Sequence, residues 1–132
     1  PSVRGLVHQD LFPDNVLVDG AGALVAVLDF EQATHGLLIY DVAVALNAWC
    51  WTGSRIHKPA ADAVLAAYEA VRPLDQSERS RLVDEARLAA ARFAITRITD
   101  VFLPEGVDPE LRKRKDFREY VRRLEWWLNQ SG

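Results

Sequence analysis

The chain has 132 residues, of which 49% are apolar and 27% are charged, and its formal net charge is −3. This length allows one buried core, and the mild acidity argues against general binding to nucleic acid or a membrane surface, since both favour basic proteins. No apolar run approaches the ~20 residues that cross a bilayer, no signal peptide is visible, and a lone cysteine, Cys50, suits the reducing cytoplasm.

Two short apolar runs in the first quarter of the chain predict a β-hairpin. They cover residues 16–18 and 24–28 and are rich in β-branched side chains, which favour strands. Between them, the segment Asp19–Gly22 supplies the glycines that accept the positive φ of a tight turn.

Longer apolar segments after the hairpin predict four helices. The first is apolar nearly all round, the second begins at a proline, and the third follows an Asp-x-x-Glu pattern that resembles a capping box. The basic run at residues 112–115 is interpreted as a solvated helix start. The predicted fold class is α+β, mainly α. In chain order the helices cover Ile39–Trp51, Pro59–Val71, about Gln76–Phe102, and roughly Pro109 or Asp116 to Asn129.

The residues directly before the hairpin carry the pattern His8-x-Asp10-x-x-x-x-Asn15, which has the spacing of a kinase catalytic loop. Phosphoryl transfer needs a carboxylate near the acceptor hydroxyl and oxygen ligands that hold Mg²⁺ on the phosphates of ATP. Asp10 can be that carboxylate, and Asn15 offers a neutral oxygen for the metal. Because antiparallel pairing reverses the chain, Asp29 at the end of the second strand is predicted to lie beside Asn15 as a second metal ligand.

Turn formation is the alternative interpretation of this segment, because Asp10, Asp14 and Asn15 are all residue types that favour turns. His8 is predicted to orient the loop and not to transfer a proton. Asp41 is a charge inside an apolar helix, and a buried carboxylate without partners would cost several kcal/mol. We therefore expect Asp41 to support the loop by accepting hydrogen bonds from its backbone or from His8.

Three further side chains are candidates for contacts with a substrate. Glu31 follows the second strand, and Asn47 lies in the first predicted helix beside Trp49, which is interpreted as a core residue. Arg97 is a candidate because the guanidinium group suits carboxylates. The alternatives are that Glu31 is simply solvated and that Arg92 and Arg97 pair with acids inside the protein.

The segments "GLVHQDLFPDNVLVDG", "VAVLDFEQA" and "LIYDVAVALNAWCW" together resemble the C-terminal lobe of the aminoglycoside phosphotransferase/choline kinase family. Within that family the chain looks most like the homoserine kinases, and the resemblance extends more weakly to the last helix. It implies the protein-kinase-like C-terminal lobe of an enzyme that phosphorylates a hydroxyl group of a small molecule. Homoserine is the expected acceptor. Choline, methylthioribose and aminoglycosides are the alternative acceptors.

The resemblance also implies a role for individual residues. Asp10 would be the catalytic base, Asn15 and Asp29 the magnesium ligands, and Asp41 the helix residue that supports the loop. Phe12 stands where protein kinases carry a lysine, which fits a small-molecule acceptor better than a protein.

Only seven residues precede the motif, too few for the N-terminal lobe that binds most of the ATP in kinases. We therefore expect residues 1–132 to be the C-terminal lobe of a longer kinase. Residues 1–35 would form the catalytic loop and metal-binding hairpin, and residues 36–132 the helical subdomain.

The alternative is a non-catalytic module or remnant that dimerises through the exposed lobe interface. The expected partners are a small-molecule substrate and a second copy of the chain, with no nucleic acid and no membrane.

Overall fold

A computed structural model describes residues 3–131 of the chain. A 3₁₀ turn at Pro13–Asn15 precedes the second strand, and a π-helical turn at Ile98–Phe102 continues the third helix. The strands are β1 (Arg4–Val7), β2 (Val16–Val18), β3 (Leu24–Val27) and β4 (Thr34–Leu37). The helices are α1 (Ile39–Trp49), α2 (Lys58–Val71), α3 (Gln76–Arg97), α4 (Pro109–Arg114) and α5 (Arg118–Leu128).

The predicted hairpin is confirmed as the antiparallel pair β2–β3, in which Val16 lies opposite Val27. Its turn is closed by the Asp19 carboxylate, which accepts hydrogen bonds at 2.9 Å from the backbone N–H groups of Ala21 and Ala23. Gly22 has a φ of 82°, a conformation that glycine adopts without the steric cost of a side chain.

A second antiparallel pair, β1–β4, was not predicted from the sequence. Its strands are four residues each and are separated by the whole hairpin, so no local turn signal announces the pairing. The pair nevertheless matters for the site, because it fixes both ends of the segment that contains the loop and the hairpin.

The main core lies between α1, α3 and α5. Small residues on α3 are fully buried and allow α1 to approach closely, while Tyr120 and Trp127 of α5 close the third side. The buried small residues are Ala86, Ala89 and Ala90.

Helix α3 begins with the predicted capping box. The Asp75 carboxylate accepts the backbone N–H of Glu78 at 2.8 Å, and the Glu78 carboxylate accepts that of Asp75 at 3.2 Å. The Glu78 side chain is 1% exposed and forms an ion pair at 2.7 Å with Arg72, in the segment between α2 and α3. One side chain therefore both caps α3 and ties it to the end of α2.

The prediction of about four helices after the hairpin is confirmed, with two differences at the ends. Helix α3 changes to a π-helical turn after Arg97, and the last predicted helix consists of α4 and α5. The break falls at Lys115, whose φ of −113° and ψ of 43° leave the helical region. Just before α5, the Asp116 carboxylate accepts the backbone N–H of Arg118, the first residue of that helix, at 2.9 Å.

The strands expose apolar side chains on a surface that we call the strand side, where the sequence predicts an exposed lobe interface. Leu6 is 72% exposed, Leu24 65% and Val25 63%. Among the helices of residues 3–131, none is both long enough and apolar enough to cross a membrane.

Candidate active site

The loop between β1 and β2 opens into a cleft of about 560 Å³. Asp10, Asn15 and Asp29 all line this cleft, and we call these three residues its inner wall. The hairpin brings them together, since the backbone N–H of Leu28 donates to the carbonyl oxygen of Asn15 at 2.8 Å. The structure therefore places the three side chains on one cleft, at the end of the hairpin where the sequence predicts them.

The amide nitrogen of the Asn15 side chain faces Asp10. Its Nδ2 donates to the Asp10 carbonyl oxygen at 2.7 Å and to Asp10 Oδ2 at 3.3 Å. No residue in the described range 3–131 donates a hydrogen bond to Asn15 Oδ1. Asn15 thus positions Asp10 with its nitrogen and keeps its oxygen for another ligand.

Backbone strain is found directly before Asp10 and at Asp29. Gln9 has a φ of 69° and Asp29 a φ of 59°, and they are the only non-glycine residues at positive φ within residues 3–131. Such conformations cost of order 1–3 kcal/mol each and persist where surrounding contacts hold them, often at functional sites.

Two side chains from the helices hold Gln9 in this conformation. The Asp41 carboxylate accepts the backbone N–H of Gln9 at 2.8 Å and that of His8 at 2.7 Å. Arg92 Nη1 donates to the Gln9 carbonyl oxygen at 2.7 Å. The peptide before Asp10 is thereby fixed from both sides, by α1 and by α3.

His8 joins the loop to the end of β3. Its ring is 6% exposed, with Nε2 at 2.7 Å from the Leu28 carbonyl oxygen and Nδ1 at 3.1 Å from the backbone N–H of Asp10. Because the Leu28 carbonyl can only accept, Nε2 carries the proton and Nδ1 is the acceptor. Both ring nitrogens are used in positioning, which agrees with an orienting role for His8.

The electrostatic surroundings of Asp10 make its carboxylate more basic than usual. Burial is the largest effect and raises the pKa of Asp10, and the nearby charge of Asp29 raises it further. The hydrogen bond from Asn15 and the positive charges of Arg92 and Lys115 act in the opposite direction. The net effect is a raised pKa, which favours proton acceptance by this group.

The helical part of the chain contributes mostly cations to the lining of the cleft, and we call its charged residues the outer wall. Thr96 and Phe12 also line the cleft, and the ring centroid of Phe12 lies 4.8 Å from that of Phe93. Phe12 thus packs against an aromatic ring of α3 and places no charge at this position of the loop. The charged residues of the outer wall are Arg92, Arg97, Asp100, Arg114 and Lys115.

Two of the predicted substrate contacts, Glu31 and Arg97, line the cleft, and Asn47 does not. Asn47 is 0% exposed, and its Nδ2 donates to the carbonyl oxygens of Ala43 and Ala86. Its Oδ1 accepts a hydrogen bond at 2.9 Å from the indole of Trp127. The structure therefore corrects this assignment, because every polar atom of Asn47 is used in packing three helices together.

Sequence reasoning missed two features of the site. Trp49 is not a core residue, since it is 45% exposed and its indole Nε1 donates to the Leu11 carbonyl oxygen at 2.9 Å. The cations Arg114 and Lys115 line the cleft, although the basic run predicted only a solvated helix. A local pattern could not show either feature, because both depend on which distant element faces the loop.

The donor chemistry of the inner wall fits a magnesium ion shared with a phosphate ligand. Within residues 3–131 no group of three or more His, Cys, Asp and Glu side chains could hold a metal by itself. Mg²⁺, however, is usually bound by only one or two protein oxygens together with waters and substrate phosphates. The carboxylate of Asp29 and the free amide oxygen of Asn15 are such a pair.

The chain resembles known phosphotransferases. Residues 1–74 match the sequence model of the phosphotransferase enzyme family. A homoserine kinase from Rhodopseudomonas palustris is 45% identical over 131 residues, which cover 98% of this chain and 39% of that protein. One from Afipia carboxidovorans is 46% identical, covering 92% of this chain and 36% of that protein. One from Gluconacetobacter diazotrophicus is 44% identical, with 92% and 37% covered. The chain thus spans about two fifths of the length of these relatives.

Proposed function

The chain belongs to the phosphotransferase enzyme family, and from that premise we propose that it forms the acceptor- and metal-binding part of an ATP-dependent homoserine kinase. The observation that carries the proposal is that Asp10, Asn15 and Asp29 line one cleft, as phosphoryl transfer to a hydroxyl requires. Homoserine is favoured as the acceptor because the similar proteins are named homoserine kinases.

In this mechanism Asp10 accepts the proton of the acceptor hydroxyl as that oxygen bonds to the transferred phosphorus and the bond to the departing nucleotide breaks. Burial prepares Asp10 for this step by raising its pKa, and the Asn15 amide keeps its carboxylate turned toward the acceptor. Asn15 and Asp29 would hold Mg²⁺, which when bound supplies positive charge to the transferred phosphoryl group. His8 and Asp41 hold the loop in place.

The decisive test is the Asp10→Asn substitution in the complete gene product. We expect kcat for L-homoserine to fall by about 10³-fold, within the range that a positioned general base contributes, because an amide cannot accept the proton. Steady-state kinetics with Mg-ATP measures the loss, and circular dichroism should show an unchanged fold. Asp19→Asn is the matched control, since this carboxylate belongs to the hairpin turn. Turnover of Asp10→Asn within tenfold of the wild type would overturn the mechanism.

The acceptor is tested separately, by comparing L-homoserine with choline, methylthioribose and an aminoglycoside under the same conditions. We expect the highest kcat/KM with L-homoserine. A clear preference for another alcohol would replace the acceptor but leave the phosphotransfer proposal intact.

The exposed apolar strand side favours a second candidate, in which this chain is a non-catalytic module that dimerises through that surface. Sedimentation of the 132-residue chain and calorimetry with Mg-ATP test this candidate. A dimer supports the module, and a monomer or tight binding of Mg-ATP contradicts it.

A further inference from the structure

We propose that Lys115, assisted by Arg114, binds the carboxylate of an amino-acid acceptor whose hydroxyl group lies at Asp10. This inference rests on the proposed function and extends it, because it names residues that select an acceptor bearing a carboxylate over neutral or purely cationic alcohols.

The distribution of charge in the cleft leaves one direction for such a carboxylate. The inner wall carries Asp10 and Asp29, whose like charges repel an anion placed beside them. An amino acid that presents its hydroxyl to Asp10 is therefore favoured to place its carboxylate beside the cations of the outer wall.

The cations of the outer wall differ in what they already bind. Arg92 Nη1 is occupied by the Gln9 carbonyl oxygen, and Arg97 Nη1 by the Asp116 carbonyl oxygen at 3.1 Å and the Glu119 carboxylate at 3.3 Å. Within residues 3–131 the side chains of Arg114 and Lys115 make no hydrogen bond or ion pair. These two are the cleft cations whose side-chain N–H donors are all without a bonded partner within residues 3–131, so every one of them is available to an anionic ligand.

The backbone at Lys115 is held against the cleft by contacts on both sides. Its N–H donates to the Leu111 carbonyl oxygen at 2.9 Å, which ends α4. The next residue, Asp116, is tied to α3 through Arg97, and Phe117 packs against Phe102 with ring centroids 5.0 Å apart. Lys115 is thus an exposed side chain on a backbone segment that is already fixed. Only the rotamers of this side chain lose freedom when a ligand binds.

Lys115 and Asp10 line the same cleft of about 560 Å³, so one ligand in the cleft can contact both groups. Asp100 lies on the same wall, in the π-helical turn, and supplies a carboxylate for the ammonium group of the acceptor. Such turns within helices are frequent at functional sites.

The test uses Lys115→Met in the complete gene product and two ligands that differ only in the carboxylate, L-homoserine and 3-aminopropan-1-ol. We expect KM for L-homoserine to rise about 10- to 100-fold, the range of a hydrogen bond to a charged group, with kcat changed less than threefold. The inhibition constant of 3-aminopropan-1-ol against L-homoserine should stay within twofold. Lys115→Arg, which keeps the charge, should recover most of the affinity.

Lys113→Met is the matched control. Lys113 lies two residues away in the same basic run but does not line the cleft, so both ligands should bind as they do to the wild type. An unchanged KM in Lys115→Met, or equal losses for both ligands, would overturn the inference while leaving the kinase proposal intact. A wild-type protein that does not phosphorylate L-homoserine would overturn the choice of homoserine and this inference together.

Discussion

At the scale of single residues, the carboxylate of Asp41 holds the catalytic loop. It accepts the two consecutive backbone N–H groups of His8 and Gln9, at 2.7 and 2.8 Å. Gln9 is in a left-handed conformation that its neighbours must stabilise. The loop geometry therefore depends on a side chain from α1 as well as on Arg92 from α3.

We expect Asp41→Ala to lower the free energy of unfolding by about 2–3 kcal/mol, because it removes two charge-assisted hydrogen bonds and leaves their donors without a protein partner. Asp41→Asn keeps one acceptor oxygen and should lose about half as much. Urea denaturation measures the stability, and kinetics on the same preparations should show kcat falling in the same order. Asp41→Ala with the stability and turnover of the wild type would contradict this role.

At the scale of secondary structure, the junction between α2 and α3 depends on Glu78. This carboxylate is buried, completes the capping box and pairs with Arg72, which lies just beyond α2. The hydrogen bond with Arg72 is the main reason that the pKa of Glu78 is lowered, and the Asp75 N–H adds to the effect against the cost of burial. The ionised form of Glu78 is thus favoured in the folded protein.

We expect Glu78→Gln to reduce the free energy of unfolding at pH 7 by about 2 kcal/mol, since it removes one partner of a largely buried pair whose arginine is partly solvated. Because the folded-state pKa is lowered, the stabilisation is fully present above the ordinary value of 4.5 and is lost as the pH falls through the lowered value. Urea titrations from pH 7 to pH 3 should show the two proteins converging in acid.

The control for this prediction is Asp62→Asn, which removes the exposed pair with Lys58 on α2. Exposed pairs contribute about 0–1 kcal/mol, so its stability should stay close to that of the wild type. A difference between Glu78→Gln and the wild type that grows in acid would contradict the assigned direction.

At the scale of the whole molecule, Asn47 joins the three helices that enclose the core. Its side chain bonds to Ala86 on α3 and to Trp127 on α5 from its own position on α1. The Arg123 guanidinium adds a hydrogen bond at 2.9 Å to the Asn47 carbonyl oxygen. Helix α1, which carries Asp41, is thus connected through one buried amide to α3, which carries Arg92 and Arg97.

We expect Asn47→Leu to lower the free energy of unfolding by about 3 kcal/mol, because the buried indole N–H and helix carbonyl lose their partners while the volume is nearly kept. Chemical denaturation measures the change. Asn129→Ala serves as the control, since Asn129 is exposed and its side chain, within residues 3–131, bonds only to the Glu125 carbonyl oxygen of α5. Stability within 0.5 kcal/mol of the wild type, the range of ordinary surface substitutions, would contradict the role of Asn47.

Much of the architecture follows from short stretches of sequence. The hairpin comes from two short apolar runs around an Asp-Gly turn, and the start of α3 comes from the pair Asp75 and Glu78, because these signals act between near neighbours in the chain. The positions of Asp10, Asn15 and Asp29 are predictable for the same reason, since one tight hairpin relates them.

The tertiary structure alone settled which distant elements meet. The β1–β4 pairing, the burial of Asn47 and the place of Lys115 on the cleft all involve residues far apart in sequence. Periodicity indicates that a helix has a buried face, but it does not say which partner covers that face or what lies across from a loop. The cations that we assign to the acceptor carboxylate are therefore visible in the sequence as a basic run, but only the tertiary structure shows that the end of α4 lies at the cleft.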